Sequence, residues 1–214
     1  NYFGALYEDY YGYNYIVEII PEWCNRIICI CVGAGGGGGA GRFGDNDGQG
    51  GGGGGSGSAI CGYIDCNGGD QVIISAGAAG SNNGWEGASG NPGGPSYVNI
   101  AGKQIWAGGG SAGQAGNPGG AGGYTSVSGA DIIKKVNGTA GAWGANADDD
   151  DDEMNSNWEG YRANGAGSIY NWTAAGNGIG GGGAGGHFGD DDGFDGDYGS
   201  WGGAGFVRIY YIRQ

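Results

Sequence analysis

Acidic residues in glycine-rich loops are the side chains of this sequence best suited to hold a metal ion. Asp190, Asp192, Asp195 and Asp197 lie among glycines at roughly the two-residue spacing of calcium loops. Calcium binds several carboxylate or carbonyl oxygens, and glycine lets such a loop turn. The pattern does not match a complete EF-hand loop, so a solvated acidic loop is the alternative. Calcium is therefore the one cofactor that the sequence allows us to consider.

Five cysteines, an odd number, can form disulfides or remain as thiols. Cys24 and Cys66 each lie at the end of a predicted strand beside turn residues, so they are our candidate bridge. Cys29 and Cys31 alternate on one predicted strand and share a face, which places them poorly for bonding each other. Buried free thiols in a strand core are the alternative.

Other loop residues could carry glycans or bind sugars. Asn137 and Asn171 begin Asn-X-Thr sequons, which either accept N-linked glycans on exposed loops or occur by chance in an Asn-rich chain. Five tryptophans in loops could stack on sugars, cover the glycine runs or pack against a neighbouring subunit, and we favour packing. They are Trp85, Trp143, Trp158, Trp172 and Trp201.

The sequence predicts no catalytic residue. The single histidine, His187, has no Ser or Cys nucleophile near it in the sequence. No helix is predicted after the glycine runs and no GK[ST] motif occurs, so phosphate binding is unsupported. A net charge of -14 argues against nucleic-acid binding. No apolar run is long enough for a transmembrane helix, so we expect no membrane insertion.

Glycine must shape the elements that position these side chains, because 60 of the 214 residues are glycine and many stand in runs. Glycine has no side chain to bury and loses the most backbone entropy on folding. Such runs stay ordered only if their backbones pack against each other. Extended segments of polyproline II type, bonded side by side through their amides, would provide that packing.

Apolar segments between the glycine runs predict strands, and no stretch has helical periodicity. The predicted strands are 16–20, 26–32, 59–64, 71–76, 97–100, 104–107, 132–136, 168–172 and 206–212. We expect the apolar strand 26–32 to be buried on both faces, and residues 66–69 to close a hairpin. The predicted fold class is all-β, an antiparallel β-sandwich-like base with polyglycine II-type loops and no substantial helix.

The order of these motifs carries a resemblance to a known family. Pro21 through Arg26 leads into the strand IICICV and the run Gly33-Ala34-Gly35-Gly36-Gly37, and GYIDCNGGDQVIISAGAAG follows at 62–80. Ser96-Tyr97-Val98, Ala107-Gly108-Gly109 and Gly202-Gly203-Ala204-Gly205 before FVRIYY complete the series. Over residues 16–212 this order resembles the glycine-rich domain found at the distal ends of bacteriophage tail fibres and in some secreted or surface proteins. The acidic run at 148–153, the cysteines and the N-terminal tail depart from that family.

We divide the chain into a tyrosine-rich N-terminal extension, residues 1–15, and a glycine-rich β domain, residues 16–214. The extension has no obvious partner inside the chain, so we expect it to contact another subunit and add a strand to its sheet edge. The contacting residues would be Tyr2, Phe3, Tyr7, Tyr10, Tyr11, Tyr13 and Tyr15.

Head-to-tail contacts that do not close generate filaments. We therefore interpret the chain as a non-catalytic, extracellular structural protein whose partner is itself and which assembles into a fibre or filamentous surface appendage. The alternative, which follows the resemblance, is a receptor-binding adhesin of a phage tail fibre that recognises bacterial surface polysaccharide or an outer-membrane protein.

Overall fold

The fold alternates β-strands with glycine-rich segments. The computed structural model describes residues 6–12, 14–41, 50–83, 87–116, 118–144, 179–182 and 199–213, and these ranges contain ten strands and no helix. In chain order the strands are β1 (Leu6–Tyr11), β2 (Asn14–Ile19), β3 (Arg26–Val32), β4 (Ala59–Asp65), β5 (Gln71–Ala76), β6 (Ser96–Ile100), β7 (Lys103–Ala107), β8 (Thr125–Ser128), β9 (Asp131–Val136) and β10 (Phe206–Ile212). The predicted strand at 168–172 lies outside the described residues.

Two five-stranded sheets pack face to face, which confirms the predicted all-β, antiparallel sandwich. Sheet A has the order β1-β10-β3-β4-β9, and sheet B has the order β2-β5-β6-β7-β8. All neighbouring strands in both sheets are antiparallel.

The predicted hairpin through residues 66–69 is wrong. β4 belongs to sheet A and β5 to sheet B, so this turn carries the chain across the core instead of back along the same sheet. The turn itself is well formed, since the Asn67 amide donates to Asp70 Oδ2 at 2.9 Å. A turn sequence specifies a reversal of direction, whereas the sheet that the next strand joins depends on tertiary packing.

Alternate residues of the strands fill the space between the sheets. Ile27, Cys29 and Cys31 of β3 are fully buried, as Val72 and Ile74 of sheet B are. Burying each Val or Ile side chain contributes about 1.5–3 kcal/mol, so these residues hold the sheets together.

The expectation that β3 is buried on both faces is wrong. Arg26, Ile28 and Ile30, which alternate with the buried positions, remain partly exposed. Their side of sheet A is its outer face, opposite the core that the two sheets share. The apolar character of β3 therefore continues onto the molecular surface.

The glycine-rich segments beyond one end of the sandwich form a second packed region, which we call the glycine bundle. It comprises residues 33–41, 50–58, 77–83, 87–95, 108–116, 118–124, 137–144, 179–182 and 199–205. Every residue of 33–41 and of 50–58 is buried, although each of these central segments contains seven glycines. The interior of the bundle is thus made mainly of backbone.

Hydrogen bonds in the bundle repeat every three residues. Amides of segment 33–41 that stand three residues apart donate to the same neighbouring segment, and successive amides donate to different ones. The donors are Gly33, Gly36 and Gly39 toward 50–58, Ala34, Gly37 and Ala40 toward 87–95, and Gly35 and Gly38 toward 199–205, with N···O distances of 2.9–3.0 Å. Three residues per turn is the repeat of a polyproline II helix.

The bundle segments approach so closely that side chains are excluded from many positions. A Cβ atom built on Gly36 would lie within 3.0 Å of the Ser111 carbonyl oxygen, a separation that real Cβ atoms essentially never show. The same overlap arises for Gly35 against the Gly181 carbonyl. Glycine is required here by the close approach of neighbouring backbones.

Buried serines join the bundle to the sheets. The Ser96 hydroxyl, at the start of β6, donates to the Val32 carbonyl at 2.6 Å and accepts from the Gly77 amide at 2.9 Å. The Ser58 hydroxyl, just before β4, donates to the Tyr124 carbonyl at 2.8 Å. These contacts satisfy backbone groups where strands become glycine segments.

Candidate interaction surface

The four edge strands form the two flanks of the sandwich. β1 and β9 border sheet A, whereas β2 and β8 border sheet B. Only residues 12 and 13 separate β1 from β2, and β8 packs beside β9. The molecule therefore has a β1–β2 flank and, on the opposite side, a β8–β9 flank.

The β2 edge strand exposes apolar side chains at alternate positions. Tyr15, Val17 and Ile19 are 61%, 45% and 63% exposed. A solvent-facing side of an antiparallel sheet ordinarily carries polar residues. These three side chains form an apolar stripe that is exposed in the described part of the chain.

The β9 edge strand is exposed along its whole length. All six residues are exposed, and three of them, Ile132, Ile133 and Val136, are apolar. Lys134 and Lys135 make no ion pair within the described part of the chain. After Asp131 at its start, β9 thus presents an apolar and basic strand edge. The sequence predicted this strand but not its exposure, because adjacent isoleucines are typical of a core.

The N-terminal extension has a partner inside the chain, contrary to the sequence-based expectation. β1 pairs antiparallel with β10 of the same molecule, from Leu6 opposite Tyr211 to Tyr11 opposite Phe206. Asp9 and Arg208 join the two strands through a bidentate ion pair, with N···O distances of 2.6 and 2.7 Å. The Arg208 guanidinium lowers the pKa of the Asp9 carboxyl.

A small polar cluster closes the core beneath β1. The Tyr10 hydroxyl, which is buried, donates to Glu18 of β2 at 3.1 Å and also contacts Glu8. The Tyr211 hydroxyl donates to the other Glu18 oxygen at 3.0 Å. Burial and the adjacent carboxylates raise the pKa values of both phenols, because each opposes formation of a phenolate.

The predicted intersubunit tyrosines therefore have different surroundings. Tyr10 lies in the chain's own core, and Tyr11 and Tyr15 are exposed. The backbone of Tyr7 belongs to β1, whereas Tyr2, Phe3 and Tyr13 lie outside the described residues. Contact of these residues with another copy stays a prediction.

All five cysteines are free thiols in this structure, and four of them are buried. The side chains of Cys24 and Cys66, the predicted bridge, lie close enough to hydrogen bond. The backbone amide of Cys66 also donates to the Asn25 carbonyl at 3.1 Å. Burial, together with Cys24, raises the pKa of Cys66 to about 12. The bridge between these neighbours stays a prediction.

The predicted calcium ligands Asp190, Asp192, Asp195 and Asp197 lie outside the described residues, as His187 does. Among the described residues, no group of three His, Cys, Asp or Glu side chains is placed to hold a metal ion. These residues also include no helix with the length and hydropathy needed to cross a bilayer.

Two of the predicted tryptophans belong to the described bundle, and both are exposed. Trp143 is 74% exposed and Trp201 is 59% exposed. Asn137, the first predicted glycan acceptor, follows β9 and is exposed. Trp85, Trp158, Trp172 and Asn171 lie outside the described residues.

The chain's negative charge is distributed unevenly along the sequence. The described residues carry six Lys or Arg and seven Asp or Glu, so they are nearly neutral. The remaining fifteen acids and two arginines belong to residues outside the described ranges. Association through the strands of the sandwich is therefore not opposed by a large charge on those strands.

The sequence matches a known protein family. A family model described as a glycine-rich domain matches residues 13–212. The chain belongs to this glycine-rich domain family. The match begins one residue before β2 and ends with β10, so it covers the sandwich except β1 together with the bundle. No curated protein matches the chain.

Proposed function

We propose that this glycine-rich domain protein is a non-catalytic structural subunit that assembles with copies of itself into an extracellular fibre or surface appendage. The observation that carries the proposal is the pair of exposed apolar edge strands, β2 and β9, on opposite flanks of the sandwich. Two different surfaces on opposite sides favour a head-to-tail contact. Such a contact extends into a filament when the rotation between copies does not close a ring.

The glycine bundle supports the same role. Its central segments bury their amides in hydrogen bonds to several neighbouring segments at once. Satisfying these groups internally gives a rigid region without a large side-chain core. Several titratable groups of the sandwich, including Asp9, Arg208 and Glu18, are engaged in ion pairs and phenol–carboxylate bonds, as expected of a scaffold.

Electron microscopy of the purified full-length chain tests the proposal. We expect filaments whose mass per unit length corresponds to a regular repeat of one chain. Exposed apolar strands become buried on assembly, so sedimentation should show a concentration-dependent shift from single chains to long polymers. Isolated globules at all concentrations would contradict a fibre subunit.

A receptor-binding adhesin is the second candidate, and the exposed Trp143 and Trp201 favour it. Aromatic rings exposed among small residues can stack on sugars. If this is the function, the chain should bind bacterial surface polysaccharide, and Trp143→Ala and Trp201→Ala should weaken that binding. Binding without filaments would favour the adhesin over the fibre.

A further inference from the structure

We propose that the β9 edge of one copy pairs with the β1 edge of the next, so that sheet A continues from subunit to subunit. This inference rests on the proposed function and specifies its interface. Among the strands that the structure describes, β1 and β9 are the first and last of sheet A, and each has a neighbour in this sheet on one side only. Within that part of the chain both therefore present unpaired backbone groups, which is the feature that strand addition uses.

Charge identifies the occupant of the β9 edge. β9 carries Lys134 and Lys135 in the second half of the strand, with no ion pair to described residues. β1 carries Glu8 and Asp9 at the middle of its six residues, and both are exposed. Glu8 contacts the Tyr10 hydroxyl and Asp9 pairs with Arg208, but a carboxylate has two oxygens with several acceptor positions and can also bind a second cation. Opposite charges on neighbouring strands stabilise a pairing, and like charges destabilise it. β1 of a second copy therefore fits β9 better than another β9 does.

The strand order requires that this contact join different molecules. Four strand spacings separate β1 from β9 within one sheet, which is about 19 Å at the usual spacing. Side chains of β9 cannot reach β1 of their own chain across that distance. Any direct contact between the two strands must be between copies.

The direction of the strands sets how copies are related. Because neighbours alternate in an antiparallel sheet, the first and fifth strands point the same way. A copy displaced along the sheet therefore brings its β1 parallel to β9. The right-handed twist of strands turns this displacement into a rotation plus a translation, which generates a helical filament.

The lysines also give the contact selectivity. Lysine on an exposed strand edge discourages pairing with unrelated strands. The acidic residues of β1 would neutralise the lysine charge. The two lysines therefore disfavour pairing with most strands and favour pairing with β1 of another copy.

Cross-linking of full-length protein tests this interface directly. Equal amounts of ¹⁴N- and ¹⁵N-labelled chains are mixed, assembled and treated with a carbodiimide, which joins an amine to a carboxylate without a spacer. We expect mixed light–heavy peptides that join Lys134 or Lys135 to Glu8 or Asp9. Assembled material whose cross-links all lie elsewhere would overturn the interface and leave the fibre proposal standing.

Charge reversal provides the matched measurement. We expect Lys135→Glu to raise the concentration needed for assembly at least tenfold, and Glu8→Lys combined with Lys135→Glu to restore it. The reason is that Glu8 pairs with buried Ile209 and Lys135 with buried Ile60, and both therefore lie on the core-facing side of sheet A. Arg213→Glu makes the same change of charge after the end of β10 and should leave assembly unchanged. Unaltered assembly of Lys135→Glu would overturn the interface alone, whereas chains that stay monomeric without inter-copy cross-links would overturn the interface and the fibre together.

Discussion

At the scale of single residues, the glycines of the bundle form a packed interior of the kind that larger side chains form in other proteins. Gly36 is buried at the centre of the bundle, and the space of its missing methyl group is occupied by the Ser111 carbonyl. Replacing an unconstrained glycine with alanine usually stabilises a protein by about 0.4–1 kcal/mol through the unfolded state. At Gly36 the same replacement should instead destabilise the protein, because the Ser111 carbonyl occupies the space that the methyl group would need.

We predict that Gly36→Ala lowers the free energy of unfolding by about 1–3 kcal/mol, the range of overpacked cores. The cause is that two backbones must separate to admit one methyl group. Urea denaturation measures the change. Ala121→Val, which enlarges an exposed bundle side chain, is the control and should change stability little. A Gly36→Ala protein as stable as the wild type would contradict the packing described for the bundle.

Tyr10 and Tyr211 give a second prediction at this scale. Their pKa values are raised in the folded chain, so the folded chain holds these protons after the unfolded chain has released them. Their contribution is therefore complete below the ordinary tyrosine pKa of about 10 and declines as the pH rises above it. We expect the free energy of unfolding to fall as the pH rises above about 10, and Tyr10→Phe to reduce that slope.

The measurement is denaturant unfolding at a series of alkaline pH values. Tyr15→Phe, which removes an exposed hydroxyl on β2, serves as the control. An equal slope in the wild type and in Tyr10→Phe would show that the cluster beneath β1 does not oppose ionisation.

At the scale of elements, β1 is attached by its ladder with β10 and by side-chain contacts with the rest of the sandwich. The Asp9–Arg208 ion pair lies at the middle of that ladder, and Tyr10 anchors the strand to the core. Because the pKa of Asp9 is lowered, its contribution is present above the ordinary aspartate pKa and is lost as the pH falls through the folded value.

We predict that Asp9→Asn speeds hydrogen exchange of the β1 amides severalfold at pH 7 and leaves β3 protected. The reason is that local opening of an edge strand requires breaking only the contacts of that strand. Glu22→Gln, in the exposed turn before β3, is the control. Because the pKa of Asp9 is lowered, the pH must fall well below the ordinary aspartate value of about 4 before the wild type resembles Asp9→Asn. Equal β1 protection in both proteins would show that the ion pair does not hold the strand.

Elements also show which parts of the fold the sequence could predict. The apolar runs IICICV and FVRIYYI gave β3 and β10 directly, because strand-forming side chains fill both. β1 was missed since its sequence, LYEDYY, mixes acids with tyrosines, and β8 was missed since TSVS is short and polar. No local signal could place β4 and β5 in different sheets, because that choice depends on their distant partners β9 and β2.

The same limit applies to the candidate interface. Ile132 and Ile133 look like core residues in the sequence, and only the sheet order reveals that β9 is an edge. Lys134 and Lys135 were the available signal, since lysines inside an apolar strand are typical of exposed edges.

At the scale of the whole molecule, the sandwich and the glycine bundle form one structure. Segments 33–41 and 50–58 begin and end at β3 and β4, and Ser96 bonds to both Val32 and Gly77 at the junction. Removing hydrogen bonds at this junction should therefore destabilise the sandwich and the bundle together.

We predict that Ser96→Ala lowers the free energy of unfolding by about 1–3 kcal/mol, because it leaves a buried carbonyl and a buried amide without their side-chain partner. Far-UV circular dichroism and tryptophan fluorescence should report one shared transition at the lower denaturant concentration. Ser126→Ala, on the exposed side of β8, is the control and should change stability little. Two separate transitions in the wild type would contradict a single cooperative unit.

The three-residue repeat of the bundle restricts how this chain can change length during evolution. Removing one residue from segment 33–41 turns every later amide by a third of a revolution, so each one faces the wrong neighbour. Removing three residues shortens the segment by one turn and returns every amide to its former direction. Insertions and deletions within the buried segments should therefore come in multiples of three residues, while the connections between segments can vary in length by any number of residues.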